Sequence, residues 1–394
     1  FDIMYDRPAM LVPPSRTGEA EERVAFDGEV LLPLNEEALR QTIRDLREEN
    51  VQSIAVCLLF SFLASEHEER VRAIIAEEMP DCSVSLSSEI VPQIREYYRL
   101  STTVINAYLQ PILARYIANL DERLKAAGVV TPQKYIMQSN GGMSTFEATA
   151  KKAVATVLSG PAGGITASTH ACRTTGFQNL ITFDMGGTSC DVALIKDGEP
   201  SISNRGKVEG RDVALPMIDI NTVSAGGGTL AYVDRFGELI VGPQSAGAVP
   251  GPACYMRGGT QPTITDCNLV LGYLSPDNFL GGKMKLDVAE SRKAIEEAVA
   301  KPLGISIEDA AEGIVRIINV KMQEACKAIS TMRGHDLRDF MLLAFGGAGP
   351  LHSSQIAQDL GMAGVIVPLY PGVYSAMGLV MSDVKHDYIR SRLT

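Results

Sequence analysis

Residues Asn179 to Lys196, NLITFDMGGTSCDVALIK, constrain this chain more than any other stretch. Leu180, Ile181, Thr182 and Phe183 form a short apolar run rich in β-branched and aromatic residues, which predicts a buried strand. That strand ends in Asp184. Met185, Gly186, Gly187, Thr188 and Ser189 then predict a glycine-rich turn, and Asp191 to Ile195 a second strand. The unit is a β-hairpin with an acid on each shoulder. Two adjacent glycines let backbone approach a ligand, because no Cβ intervenes. Successive amides in such a turn make a concave anion site. Thr188 and Ser189 add hydroxyl donors. Asp184 beside a bare phosphate would repel it unless a cation lies between, so the chemistry suggested is Mg-nucleotide binding. A tight hairpin whose aspartates only cap the turn would use the same letters.

The 394 residues suffice for two or more domains with real cores. Hydrophobic content of 45% and charged content of 21% are those of an ordinary globular protein. A net charge of −11 argues against nucleic acid or an anionic membrane surface as partner. The apolar run Ile54 to Phe60 is too short to span a bilayer. Seven cysteines with no C-x-x-C pair fit reduced thiols and a cytoplasmic location. Cys190, inside the hairpin, reads as a small buried filler. The histidines show no zinc-binding spacing.

Along the chain, short strands are expected at Ala9–Val12 and Glu29–Leu32. Asn35 is placed to cap a helix running to Glu49. Ser53–Phe60 reads as a strand, Glu66–Glu78 as a helix capped by Ser65, and Ser83–Leu86 as a strand, the alternation of a layered α/β fold. A long helical stretch follows from Glu96 to Ala127, interrupted near Pro111 and ended by Gly128. Its Ile105, Leu109, Ile112 and Ile117 read as core. Tyr135–Gln138 is a strand running into Ser139-Asn140-Gly141-Gly142, a ligand position in open α/β sheets or an ordinary turn.

Leu158 to Gly164, LSGPAGG, opens a helix to about Thr174. Gly226, Gly227 and Gly228 suggest close approach to a ligand. Thr263–Asp266 reads as a strand end at which Asp266 caps the next helix, metal binding being the less favoured use. Helices are expected over Asp287–Lys301 and Ser306 to about Met332. A strand, Phe340–Phe345, then enters Gly346-Gly347-Ala348-Gly349-Pro350, with a helix from about Leu351, a cradle for nucleotide at a helix N-terminus. His352 reads as packed against that turn. Neither a dinucleotide fingerprint nor a Walker A loop is present.

The order QSNGG (138–142), LSGPAGG (158–164), FDMGGTSCDV (183–192), AGGGT (225–229), GPACYMRGG (251–259), TDCNLVLG (265–272), RGHD (333–336) and AFGGAGPLH (344–352) resembles the hydantoinase A/5-oxoprolinase family. Its members include hydantoinases, oxoprolinase, caprolactamase and acetone and acetophenone carboxylases. The resemblance implies an α/β, actin-like ATPase (ribonuclease H-like) fold with mixed sheets flanked by helices. Residues 1–95 would be the remainder of an N-terminal ribonuclease H-like subdomain, and 96–394 the central domain. The family's first phosphate hairpin has no counterpart here, and its further C-terminal region is not seen after about Arg392, so a fragment is expected. The implied activity is ATP-dependent opening of a cyclic amide, with ketone carboxylation or a non-catalytic nucleotide-driven module as alternatives. ATP and Mg²⁺ are the implied cofactors. Asp184 would hold Mg²⁺ or orient the attacking group, with Asp191 as its partner. Gly186, Gly187, Thr188 and Ser189 would bind phosphates. Gly226, Gly227 and Gly228 would line the nucleotide cleft, and Gly346, Gly347 and Gly349 would contact adenosine. Ser159 falls where chaperone ATPases carry an acid, which argues against proton transfer there. A hydantoinase B-like subunit or domain and an oligomeric assembly are implied.

Overall fold

The computed structural model describes residues 8–391. Two compact units form: one holds residues 8–162, 202–218 and 382–391, the other Gly163–Ser201 and Asp219–Met381.

In the first unit, helix α1 (Glu36–Glu48) starts where Asn35 Oδ1 accepts the Ala38 amide, 3.2 Å away. Strand β1 (Ser53–Val56) is shorter than its apolar run and pairs in parallel with β2 (Ser83–Leu86), after helix α2 (Glu66–Glu78). Leu39 and Ile43 of α1 meet Val71, Ile74 and Ile75 of α2 over Leu86. Ser65 is the N-cap of α2, and its carbonyl accepts the Glu69 amide at 3.0 Å, but its side chain accepts no backbone amide; the hydroxyl donates to the Glu69 carboxylate instead. Helix α3 (Glu96–Ala126) runs unbroken through Pro111. A proline removes one backbone bond, and in a helix of 31 residues the neighbouring turns carry across it. Ile105 and Ile117 are buried as expected, but Ile112 is 62% exposed, so the apolar positions of α3 do not all face one core. Ala9–Val12 forms no strand; a 3-10 turn at Pro14–Arg16 follows, as the paired prolines favour.

One buried charge network braces this unit. The Arg99 guanidinium donates to Ser87 Oγ (3.1 Å), Gln93 O (3.0 Å) and Leu58 O (2.5 Å). Glu68 accepts from the same Ser87 hydroxyl (2.6 Å) and from the Leu58 and Ser88 amides (both 2.9 Å). Both charges are out of water, yet each is hydrogen-bonded on several sides, which is the condition for burying them. Strands β3 (Tyr135–Met137) and β4 (Met143–Thr145) close an antiparallel hairpin.

Helix α4 (Ser159–Thr175) leads into the second unit. Its sheet is built on β5 (Leu180–Met185), antiparallel to β6 (Cys190–Lys196) and parallel to β8 (Met341–Phe345). Strand β7 (Ile220–Val223) extends it beyond β6 and β9 (Gly364–Ile366) beyond β8, giving the order β7-β6-β5-β8-β9, with the short strand Glu199–Pro200 on β6. Leu180, Ile181, Phe183 and Met185 are all fully buried, because β5 is covered on both faces. Helix α5 (Ile264–Val270) and the inner stripe of α6 (Ile307–Ile329), with Ile314, Ile318, Met322 and Cys326, complete this core with α7 (Gly349–Asp359). A last helix, α8, spans Tyr374–Met381.

Thr263–Asp266 does not end a strand. Thr263 is the N-cap of α5, and Asp266 closes a capping box with it. Asp266 also accepts the amides of Ala253 (3.2 Å) and Cys254 (2.9 Å) and the Ser291 hydroxyl (2.7 Å). Its oxygens are thus engaged by the protein, which gives it the capping use and leaves nothing for a metal.

Candidate functional site

The sequence hairpin forms where it was expected, in the second unit. Gly186 N donates to Ser189 O at 3.0 Å and closes the turn. Asp184 and Asp191 lie opposite each other across β5 and β6, and Thr222 of β7 lies opposite Asp191. Like charges opposite one another on a sheet destabilise it. Burial, then the Asp191 charge, push the Asp184 carboxyl up to about 6, against a hydrogen bond from Ser375. Asp191 is raised too, by burial, while the Thr222 hydroxyl (2.5 Å) works in the other direction. Ser375 Oγ donates to Asp184 Oδ2 at 3.2 Å.

Between the two acids the turn is open. Gly187 and Thr188 are exposed, and a Cβ added at Gly186 or Gly187 would meet nothing within 4 Å. The amides of Gly187, Thr188 and Ser189 donate to no acceptor among the described residues. Three free amides in a glycine turn form an anion cradle. The two acids flanking it carry the hard oxygens that a cation would require. No cluster of three or more metal-ligating side chains exists among the described residues. A cation here would therefore share its coordination between one or two carboxylates, water and the anion, as Mg²⁺ does with phosphates. Two carboxylates held above their ordinary range fit that use, because a divalent charge relieves both.

Gly226, Gly227 and Gly228 have a protein partner rather than the open ligand face expected of them. All three are buried. Gly226 N donates to Thr229 Oγ1 (2.9 Å), Gly227 N to Gly186 O (3.0 Å) and Gly228 N to Gly187 O (2.7 Å). Thr265 holds Gly227 O from the other side through both its amide and hydroxyl, each 2.8 Å away. The close approach these glycines permit is to the hairpin itself: a Cβ on Gly226 would lie 2.5 Å from the Gly187 carbonyl carbon. Backbone cannot yield as a flexible side chain does. Gly226→Ala is expected to cost about 2–4 kcal/mol of stability by overpacking, and Gly187→Ala less than about 0.5. Denaturant midpoints check this; equal midpoints contradict it.

The turn at Gly346–Gly349 lies against the same carboxylate. Gly346 has φ +80°, and its Cβ would sit 2.5 Å from Asp184 Oδ1. Ala348 N donates to Met185 O at 2.9 Å. Gly349 is buried, with its Cβ position 3.2 Å from Phe183 O. Of the three glycines expected at adenosine, Gly347 alone is exposed with open space around it. The paired glycines of α4 also find their use here. A Cβ at Gly163 would lie 2.7 Å from Ser375 O, and one at Gly164 3.0 Å from Ser375 Oγ. They let α8 close in and bring Ser375 to Asp184.

His352 is structural. Its Nδ1 lies 2.8 Å from Asn319 Oδ1 and its Nε2 3.1 Å from Asn268 Nδ2, which assigns the proton to Nδ1. Burial lowers its pKa to about 4. The unfolded chain therefore takes up this proton first, and the stability held by neutral His352 is present above about pH 6.5 and lost as pH falls towards 4. His352→Leu strands two buried amides, an expected loss of about 2–4 kcal/mol in thermal unfolding. Cys190 is buried, with its thiol pushed up by burial, as a filler rather than a nucleophile.

The polar strand end at 138–142 turns out to be a clasp within the first unit. Ser139 Oγ donates to Ala155 O (2.8 Å), and Asn140 Nδ2 to Asp387 Oδ2 (2.6 Å). Met143 N donates to Asp383 O at 2.9 Å. Thr222, Ser375 and Thr265 were not singled out in the sequence. Their partners lie 31 or more positions away, and nothing local marks them.

A hydantoinase/oxoprolinase family model matches residues 99–388, and a model of that family's N-terminal region matches 1–79. Caprolactamase subunit alpha of Pseudomonas jessenii is 40% identical over 99% of this chain and 56% of its own length. Acetophenone carboxylase gamma subunit of Aromatoleum aromaticum is 39% identical over 99% of this chain and 53% of its own. A nucleotide-free structure of acetone carboxylase, an enzyme of ATP-dependent acetone carboxylation, superposes with a TM-score of 0.86 at 34% identity, covering 96% of this chain and 53% of that one. The chain thus spans about half the length of the relatives it matches. The mixed α/β architecture is that of the actin-like ATPase fold, as expected. By motif order, fold and coverage, this chain belongs to the hydantoinase/oxoprolinase family.

Proposed function

We propose that this chain is the nucleotide-handling part of an ATP-dependent enzyme that opens a cyclic amide by phosphate activation. The observation that carries this reading is the open Gly186–Ser189 turn, with three free amides and two raised carboxylates behind it. Amides resist water because resonance feeds electron density into the carbonyl carbon. A phosphate on the amide oxygen removes that resonance and supplies a leaving group. The chain's part is to position and to neutralise charge.

Gly187, Thr188 and Ser189 donate to phosphate oxygens, and Gly186 shapes the turn. Asp184 and Asp191 hold Mg²⁺, which when bound neutralises phosphate charge. Ser375 and Thr222 orient the two acids. Gly226–Gly228 buttress the turn from behind, and adenosine lies along Gly346 and Gly347. A hydantoinase B-like subunit or domain supplies the chemistry at the ring, within an oligomer. Caprolactamase and acetophenone carboxylase relatives that are themselves subunits support a partner. Seven unpaired cysteines support a cytoplasmic setting.

Carboxylation of a ketone is a second reading, and one observation supports it: the carboxylase relative is nearly as similar as the lactamase, 39% identical against 40%. ADP release by the full assembly, offered hydantoins, 5-oxoproline, caprolactam, or acetone with bicarbonate, decides. Stimulation by a cyclic amide alone is expected. Stimulation only by ketone with bicarbonate replaces the first reading with the second, and none by any substrate leaves a nucleotide-driven conformational module.

A further inference from the structure

The clasp at 138–142 roofs a cavity of about 520 Å³ in the first unit, which the nucleotide reading does not use. Its lining includes Gln138, Ser144, Lys152, Lys385, Asp387 and Arg390. Lys152 is the unusual member. Asn106 of α3 pins the segment that carries it, donating to Lys151 O (3.2 Å) and accepting Val154 N (3.0 Å). Its side chain is half-buried, yet makes no ion pair or hydrogen bond among the described residues. Burial lowers its pKa while the nearby Asp387 charge acts in the opposite direction. The Gln138 side-chain amide and the buried Ser144 hydroxyl also bond to no described residue.

The charges around Lys152 do not cancel it. Asp387 keeps its charge, because the Asn140 amide that donates to it is neutral, but it is a single carboxylate, and Glu89 at the rim is paired with Arg72 at 2.6 Å. Lys385 and Arg390 add two cations, neither of them in an ion pair among the described residues. An ammonium partly withdrawn from water without a partner carries a desolvation cost. With two uncharged donors and a cavity of small-ligand size around it, an anion is the natural relief.

We propose that this cavity binds a small carboxylate, held by Lys152 with hydrogen bonds from Gln138 and Ser144. Two sources share that chemistry. One is the carboxylate of an opened cyclic amide, whose ammonium end would meet Asp387. The other is bicarbonate. Binding at this site does not depend on the reading of the Asp184 hairpin, and it is tested without nucleotide, so the two fail separately.

Calorimetric titration of the nucleotide-free full-length protein with 6-aminohexanoate, hexanoate, bicarbonate and neutral hexanamide provides the test. Saturable binding of a carboxylate below about 100 mM is expected, with none for hexanamide. Tighter binding of 6-aminohexanoate than of hexanoate identifies the opened amide as the source, and binding of bicarbonate alone identifies bicarbonate. Lys152→Met should weaken the bound carboxylate about tenfold or more. In the wild-type protein, which avoids any folding defect, the bound anion should slow acylation of Lys152 and leave the neighbouring Lys151 unchanged. Absence of saturable binding by all three anions, or binding that protects Lys151 and Lys152 alike, overturns the proposal.

Discussion

Asp184→Asn is expected to cut nucleotide turnover by about 10²–10³ or more and, in the nucleotide-free protein, to raise stability at neutral pH. Both effects come from one carboxylate. Its pKa is about 6, against an ordinary 3.8, because burial and the facing Asp191 disfavour its charge. The folded state therefore holds the Asp184 proton more tightly than the unfolded chain does. The stability it contributes is complete below about pH 4 and is lost as pH rises through 6. A shift of about two units corresponds to roughly 3 kcal/mol as an upper bound. Asparagine has no charge to bury and still accepts from Ser375, so it should recover part of that, about 1–3 kcal/mol, above pH 6 and nothing below pH 4. Turnover should fall by about 10²–10³ or more, the scale for removing one electrostatic contact made to the reacting group. Melting curves at pH 4 and 7, beside ADP release by the intact assembly, read both. A variant that melts like wild type at pH 7 and turns over within about threefold of it removes the carboxylate from the mechanism.

Gly346→Ala is the second large effect, and it acts through backbone. At φ +80° an alanine is strained whatever surrounds it. Here the surroundings are also full: the new methyl would sit 2.5 Å from Asp184 Oδ1 and overlap Met185 O. Strain and overpacking together predict a loss of about 2–4 kcal/mol. The carboxylate is the softer neighbour and would move first. A displacement on the order of 1 Å at a reacting group costs about 10² in rate, so turnover should fall even well below the melting temperature. Gly347→Ala is the control. Its Cβ would meet nothing within 4 Å, and its stability should stay within about 0.5 kcal/mol of wild type. Equal stability of the two variants would contradict the packing described around Gly346.

Local chemistry carried much of this structure in the sequence. The hairpin strands Leu180–Met185 and Cys190–Lys196 follow from a β-branched run, two glycines and a second run. Asn35 caps its helix because its short side chain reaches the amide three residues on, and Asp266 closes a capping box by reaching back to the Thr263 amide. Registers between distant segments were not legible. Thr222 faces Asp191 because β7 pairs with β6 from 31 positions away, and Ser375 reaches Asp184 across 191. Glycine is similarly ambiguous. A residue without a Cβ permits close approach, but its letter does not say whether a ligand or the protein approaches. At Gly226–Gly228 the answer is the hairpin backbone, and at Gly142 it is the Lys385 side chain. Ile112 shows the same limit on a helix, where an apolar letter at helical spacing stands 62% exposed.

Hydrogen exchange at the amides of Gly187, Thr188 and Ser189, with and without MgATP, tests the central claim most directly. These amides donate to no acceptor among the described residues, and Gly187 and Thr188 are exposed, so they should exchange rapidly in the free protein. The account predicts that MgATP slows them by about tenfold or more, and that ATP without a divalent cation does so far less. Unchanged exchange at this turn, with MgATP bound and protection appearing elsewhere, would contradict it.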